Sequence, residues 1–346
     1  MARIDAENLR HALSALLTGG GMDADKSPIV ADALVEADMI GHTTHGTGLV
    51  AGYLDALRSG ELRGQGDLEV IADRGACITW NGRKLPGPWL VRRALDLACE
   101  RVAQHGVVTV AIRNSHHTGA LAAYMKRVTD RGYVVQINCS TVSAARMAPF
   151  GGTQPVLTPN PQAFGFPTDG DPILIDISAS ITTTTMTRQL AAAGQRYPEA
   201  WGLTADGQPT DDPQDVVSRG GTLMPIGGAR KGYKGFGMAL AVDVLSQGLA
   251  GSGRTRTHEP MTLSVFLQVL DPAAFSGTAD FLAEASHTAR LCRDNRPAPG
   301  VGKVRVPGDG AAASRRRALA EGVEIGDSVL AGLAARAKAL NVDWPV

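Results

Sequence analysis

Asn114-Ser115-His116-His117-Thr118-Gly119 stands between a stretch suited to a strand and one suited to a helix. Before it, Val107-Val108-Thr109-Val110-Ala111-Ile112 is rich in β-branched residues, as buried strands are. After it, Ala120 to Arg131 spaces Leu121, Tyr124, Met125 and Val128 at helical intervals, and Gly132 supplies a stop. Tyr133 to Asn138 reads as a second strand. A loop between strand and helix suits anionic groups, because the helix start offers unpaired backbone N–H groups and a positive dipole end. Two histidines and a glycine there predict an anionic cofactor beside groups that move protons. Taken alone, the six residues are also ordinary turn and capping chemistry, and they favour function only slightly.

Composition narrows the classes. The chain has 346 residues, enough for a large core and more than one lobe. Lys plus Arg and Asp plus Glu are 34 each, so no basic excess points to nucleic acid or to an anionic membrane. Met1 to Arg10 is polar and helix-like, without the apolar stretch of a signal peptide, and no apolar run has membrane-spanning length. Cys77, Cys99, Cys139 and Cys292 are widely spaced and read as buried, reduced thiols of a cytoplasmic protein.

Further out, the first sixty residues read as helices. Ser27-Pro28 is a cap followed by a proline, and Ile29, Ala33, Ala37 and Ile40 form one stripe. Gly41 to Gly46 breaks the pattern, and a third helix carries Leu49, Tyr53, Leu54 and Leu57 up to Gly60. Residues 61–87 suggest short strands and turns, and a helix runs from about Pro88 to Gln104. The proline-rich stretch from Pro149 to Pro161 predicts a rigid loop. Strands are expected at Pro172–Ile177 and Leu263–Leu270, and helices near Met238–Leu249 and Ala279–Arg293. Val304 to Gly310 reads as extended, and two more helices reach Leu340. The glycine-rich segments match neither a dinucleotide fingerprint nor a P-loop.

Several segments, in this order, resemble the malate/L-lactate dehydrogenase family, the NAD(P)-dependent group that is not Rossmann-like. They are Gly41-His42-Thr43-Thr44-His45-Gly46, Arg113 to Gly119, Ala148 to Gly152, Thr158-Pro159-Asn160-Pro161, Asp176 to Ser180, Pro198 to Trp201, Lys231 to Gly237 and Val306-Pro307-Gly308. The resemblance implies an α/β fold with a non-Rossmann cofactor domain and a helical domain formed by both chain ends. The expected division is 1–75 and 306–346 for the helical parts and 76–305 for the cofactor part. It implies a homodimer that uses NADH or NADPH to reduce a 2-oxo acid, a cyclic imine or a related compound. His45 matches the proton donor and Thr44 the hydroxyl that orients it. His117, Thr118, Gly119, Ala120 and Leu121 match a cofactor loop, with Asp176, Ile177, Ser178 and Gly308 as further cofactor positions and Thr158 on the substrate side.

The chain departs from the pattern around the substrate. Leu49 stands where the family carries the arginine that clamps a carboxylate, and Thr44 where it carries a serine. Met186 stands where the family places a Lys or Asp of the acid–base relay. No arginine follows Pro307-Gly308-Asp309-Gly310 directly. These losses predict an altered substrate pocket, with Leu49, Thr158 and Met186 facing the substrate. Two other readings stay open: a paralogue that binds cofactor without turnover, and a metalloenzyme ligated by His42, His45, His116 and His117.

Overall fold

The computed structural model describes residues 2–143, 145–255 and 262–345. The chain opens with a short strand, β1 (Ala2–Ile4), where a helix-like start was expected; Met1 lies outside the described residues. Its partner is β12 (Val323–Ile325), nearly the whole chain away, so no local pattern announces it. Helices α1 (Ala6–Gly19), α2 (Ser27–Met39) and α3 (Val50–Ser59) follow. Ser27 is the first residue of α2 rather than its cap, and its hydroxyl donates to the Asp23 carbonyl at 3.2 Å.

The main sheet has seven strands: β2 (Glu69–Asp73), β3 (Cys77–Asn81), β4 (Val107–Ser115), β5 (Val134–Ser140), β6 (Gln162–Phe166), β7 (Ile173–Ile177) and β11 (Leu263–Leu270). Their order across the sheet is β2-β3-β4-β11-β5-β6-β7. Only the β3–β4 pair is parallel, and helix α4 (Gly87–His105) makes its crossover. Between β4 and β5 runs α5 (Ala122–Thr129), shorter than the periodicity suggested because Ala120 and Leu121 belong to the loop. β6 was not foreseen: Gln-Ala-Phe-Gly-Phe follows a run of prolines and holds its place by pairing on both edges.

Helix α6 (Thr184–Ala192) precedes a small three-stranded sheet, β8 (Gly202–Leu203), β9 (Pro209–Thr210) and β10 (Thr222–Leu223), which packs with α7 (Pro213–Ser218). The expected Met238 helix begins earlier, as α8 (Gly228–Lys231) and α9 (Tyr233–Asp243), and ends in a π-turn, Val244–Gly248. Helices α10 (Thr278–Arg293), α11 (Asp309–Glu321) and α12 (Asp327–Leu340) complete the chain.

Two large cores result. One lies between the sheet and helices α4 and α5, around Trp89, Leu90, Val110, Ile112, Met125 and Leu267. The other joins α1, α2 and α3 to Ala318, Leu333 and Ala337 near the other chain end. Helix α2 serves both: Ala33 and, just past its end, Ile40 face the sheet core, while Val30 and Leu34 face the helical one. Both its sides are therefore clamped, and the turn after it is held against the loop after β4. Of the four cysteines, Cys99 and Cys139 are buried; Cys77 and Cys292 are exposed, contrary to expectation, and none is in a disulfide. Among the described residues, no helix is long and apolar enough to cross a membrane.

Candidate active site

The turn after α2 and the loop after β4 meet over a cavity of about 460 Å³. A short 3₁₀ turn, Thr43–His45, carries His45. It is anchored by Asp38 near the end of α2, whose carboxylate accepts the Thr47 N–H at 2.7 Å. Gly46 lies directly against that carboxylate: a Cβ there would stand 2.0 Å from Asp38 Oδ1, so any larger residue would displace the Asp38 side chain from its place. Asp38 is pushed up to about 6, because burial penalises its charge more than the Thr47 contacts favour it.

The other wall is the loop from His116 to Leu121. Its backbone rests on the start of α4, where a Cβ on Gly87 would stand 2.4 Å from the His117 carbonyl oxygen. The His116 N–H donates to the Leu85 carbonyl at 3.1 Å. Tyr53 of α3 donates to the His117 carbonyl at 3.1 Å, and the Gly119 N–H donates to His117 Nδ1 at 3.2 Å. That last bond makes Nδ1 an acceptor and leaves the proton of the neutral ring on Nε2. Burial, then the neighbouring His45 and His116, lowers His117 to about 3, so it is a neutral wall and not an acid. His116 is lowered to about 4 by burial and packs edge-on against Tyr53, off the cavity.

His45 stacks on His117, with ring centroids 5.7 Å apart and planes 16° from parallel. Thr44 Oγ1 lies 2.8 Å from His45 Nδ1, which orients the ring. Burial lowers the His45 pKa below its ordinary value, while Asp176 opposes the shift. His45 is thus neutral near pH 7, with a carboxylate close enough to favour its protonated form.

Asp176 corrects one expectation. The loop-to-helix junction was read as open to an anionic cofactor group, but Asp176 Oδ2 accepts the Ala122 N–H at 2.8 Å, at the first turn of α5. The chain fills that helix start with its own carboxylate. Burial raises the Asp176 pKa, and His42, with Nδ1 4.0 Å from Oδ2, pulls against that.

The cavity brings together Thr44, His45, His117, Thr118, Gly119, Ala120, Leu121, Thr158, Asp176 and Ser178. It leaves out Ile177, Gly308, Leu49 and Met186. Ile177 is 40 % exposed, because strand alternation turns it away from the face of Asp176 and Ser178. Gly308 sits at the start of α11 against Pro172 and Leu174 and lines a separate groove. Leu49 packs onto the helical core. Met186 is 41 % exposed: Thr184, Thr185 and Arg188 share the cavity face of α6 at helical spacing, and Met186 falls beside it.

Residues given no cofactor or substrate role from the sequence also line the cavity: His42, Ser140, Thr141, Thr183 and Arg188. His42 was weighed only as a metal ligand, though its place three residues before His45 was a visible signal. Arg188 had none. Among the described residues, no group of three or more His, Cys, Asp or Glu is placed to hold a metal ion. Thr158 has a defined hydrogen-bond direction. Asn160 Nδ2 donates to the Ala239 carbonyl at 2.7 Å, so its Oδ1 must accept, and the Thr158 hydroxyl donates to it. Thr158 therefore offers only lone pairs to the cavity.

His45 and His117 thus share one partly apolar cavity, and similarity to known proteins gives the class. A family profile described as malate/L-lactate dehydrogenase matches residues 4–334. The chain is 31 % identical to the L-lactate dehydrogenase of Cupriavidus necator, with 99 % of each chain covered. It is 27 % identical to the L-sulfolactate dehydrogenase of Methanothermobacter thermautotrophicus, again over 99 % of both. The crystal structure of malate dehydrogenase from Entamoeba histolytica superposes with a TM-score of 0.93 at 20 % identity, covering 100 % of this chain and 99 % of that one, a likeness of fold. The protein is an oxidoreductase of the dehydrogenase class. It belongs to the malate/L-lactate dehydrogenase family, with that family's mixed α/β fold.

Proposed function

We propose that the chain transfers a hydride reversibly between a nicotinamide cofactor and a 2-hydroxy or 2-oxo acid, with His45 exchanging the proton. The observation that carries this is His45 stacked on the neutral His117 wall of the cavity, its Nδ1 held by Thr44. Relatives named for L-lactate and L-sulfolactate support a hydroxy-acid substrate. The lining suits a nicotinamide end: Leu121, Pro159, Pro161 and Leu263 supply apolar wall, and a few hydroxyls supply polar contacts. When bound, the cofactor supplies or takes the hydride.

The chain's own residues do the rest. His45, neutral at rest, takes the hydroxyl proton during oxidation and returns it during reduction. Asp176 steadies the charge that His45 gains. Thr158 accepts from a donor group of whichever ligand lies against it. The reading extends to a homodimer, supported by the exposed apolar residues Tyr233, Leu240 and Val244 along one helical stretch.

The test is turnover of NADH and NADPH with pyruvate, oxaloacetate and sulfopyruvate, and of the oxidised cofactors with the matching hydroxy acids. His45→Asn should lower turnover about 10²–10⁴-fold and leave cofactor affinity nearly unchanged. Turnover of none of these acids in either direction refutes the proposal. Near-wild-type turnover by His45→Asn removes His45 from it.

A further inference from the structure

An acid substrate entering this cavity meets Asp176, a carboxylate, and needs a cation. Leu49 offers none, since it packs onto the helical core. Three histidines line the cavity, but burial keeps His45 and His117 neutral at rest. Among the described residues, Arg188 is the one lysine or arginine on that lining. It stands on α6 with Thr184 and Thr185, one turn before it, on the same wall. Arginines on neighbouring elements are committed to carboxylates: Arg196 to Asp211, Arg219 to Asp212, Arg254 to Asp243. Arg188 has no carboxylate within 4.0 Å among the described residues. It is also exposed, so its charge carries little cost while the site is empty.

We propose that Arg188 is the specificity-determining residue of this cavity, holding the substrate's acid group through two guanidinium N–H contacts. The inference rests on the acid-substrate reading above. A planar guanidinium matches a carboxylate or sulfonate edge in a way an ammonium does not. The residue therefore sets KM for acids and leaves the proton step to His45.

The experiment compares wild type with Arg188→Gln and Arg188→Lys. Kinetics use pyruvate and oxaloacetate, and calorimetry uses oxalate, an unreactive dianion, on enzyme loaded with reduced cofactor. Arg188→Gln should raise KM and the oxalate Kd about 10- to 100-fold, as loss of a charge-assisted contact does, with kcat within about threefold. Arg188→Lys should recover part of that loss. Pyruvamide, which lacks the charge, should be used equally by wild type and Arg188→Gln. Reduced-cofactor affinity should not move. If Arg188→Gln keeps KM and oxalate affinity within about twofold while wild type turns over, Arg188 is not the clamp and the acid reading stands. A fall in kcat alone would also overturn the assignment. If wild type neither binds oxalate nor turns over any acid, the acid reading falls and the clamp with it.

Discussion

Asp38→Asn should stabilise the protein at pH 8 and lose that advantage in acid. The folded chain raises this carboxyl from 3.8 to about 6, chiefly because burial penalises the charge. The difference corresponds to on the order of 3 kcal/mol, at about 1.4 kcal/mol per tenfold change. Its sign is set by proton affinity. The folded state binds the proton more tightly than the unfolded chain, so the favourable contribution is complete below 3.8 and is lost as pH rises to about 6. At pH 8 the ionised group thus weighs against the fold. An asparagine keeps an oxygen to accept the Thr47 N–H, now held at 2.7 Å, and carries no charge. Its NH₂ group still faces partial desolvation, which reduces the gain to about 1–2 kcal/mol. Arg3, Arg317, Glu321 and Glu324 line the same groove as Asp38, and Arg3 already pairs with Glu324 at 3.6 Å, so the groove has charges of both signs. Urea denaturation of both proteins at pH 8 and pH 4.5 measures the effect. The variant should be the more stable at pH 8, with the gap closed or reversed at pH 4.5. An Asp38→Asn protein equally destabilised at both pH values would show that the carboxylate's charge stabilises the His45 turn, and the reasoning would fail.

The His45 pKa, lowered by burial, sets opposite pH trends for the two directions of the reaction: reduction should decline as pH rises through a value below 6.5, and oxidation should increase through the same value. Asp38→Asn separates the contributions, since a limb that survives in that variant does not belong to Asp38. Gly87→Ala should lower stability by about 1–3 kcal/mol and weaken reduced-cofactor binding, because its methyl would press on the His117 carbonyl from 2.4 Å; unchanged fluorescence titrations and melting would contradict the loop's dependence on that contact. Sedimentation at micromolar concentration should give about twice the mass of a 36.1 kDa chain, and a clean monomer would contradict the homodimer.

Much of the site was legible in the sequence, because motifs of small, hydroxyl and histidine residues mark places where the backbone itself is shaped. Gly46 and Gly119 punctuate the two turns, and His45 and His117 travel with them; the cavity lining contains both turns. β11 coincides with the stretch Leu263–Leu270 read from β-branched and apolar residues alone, because a strand buried along its length needs little else to announce it. Its place between β4 and β5 was not legible: strand order depends on contacts between distant segments. The β1–β12 pair was hidden for the same reason. Leu49 and Met186, expected on the substrate side through counting along motifs, lie off the cavity lining, because a side chain's direction follows from where its helix or turn is packed. On α6 the choice between Met186 and Arg188 is a rotation of the helix, set by the burial of Thr187 and Ala191 on its inner side. The filling of the α5 start by Asp176 is of the same kind, a meeting of β7 with a helix more than fifty residues earlier. The sequence by itself determined the strand–loop–helix unit, its histidines and the family, since these rest on local propensity and ordered motifs. Only the tertiary structure decided which side chains share the cavity, because that depends on how elements far apart in the chain pack and turn against one another.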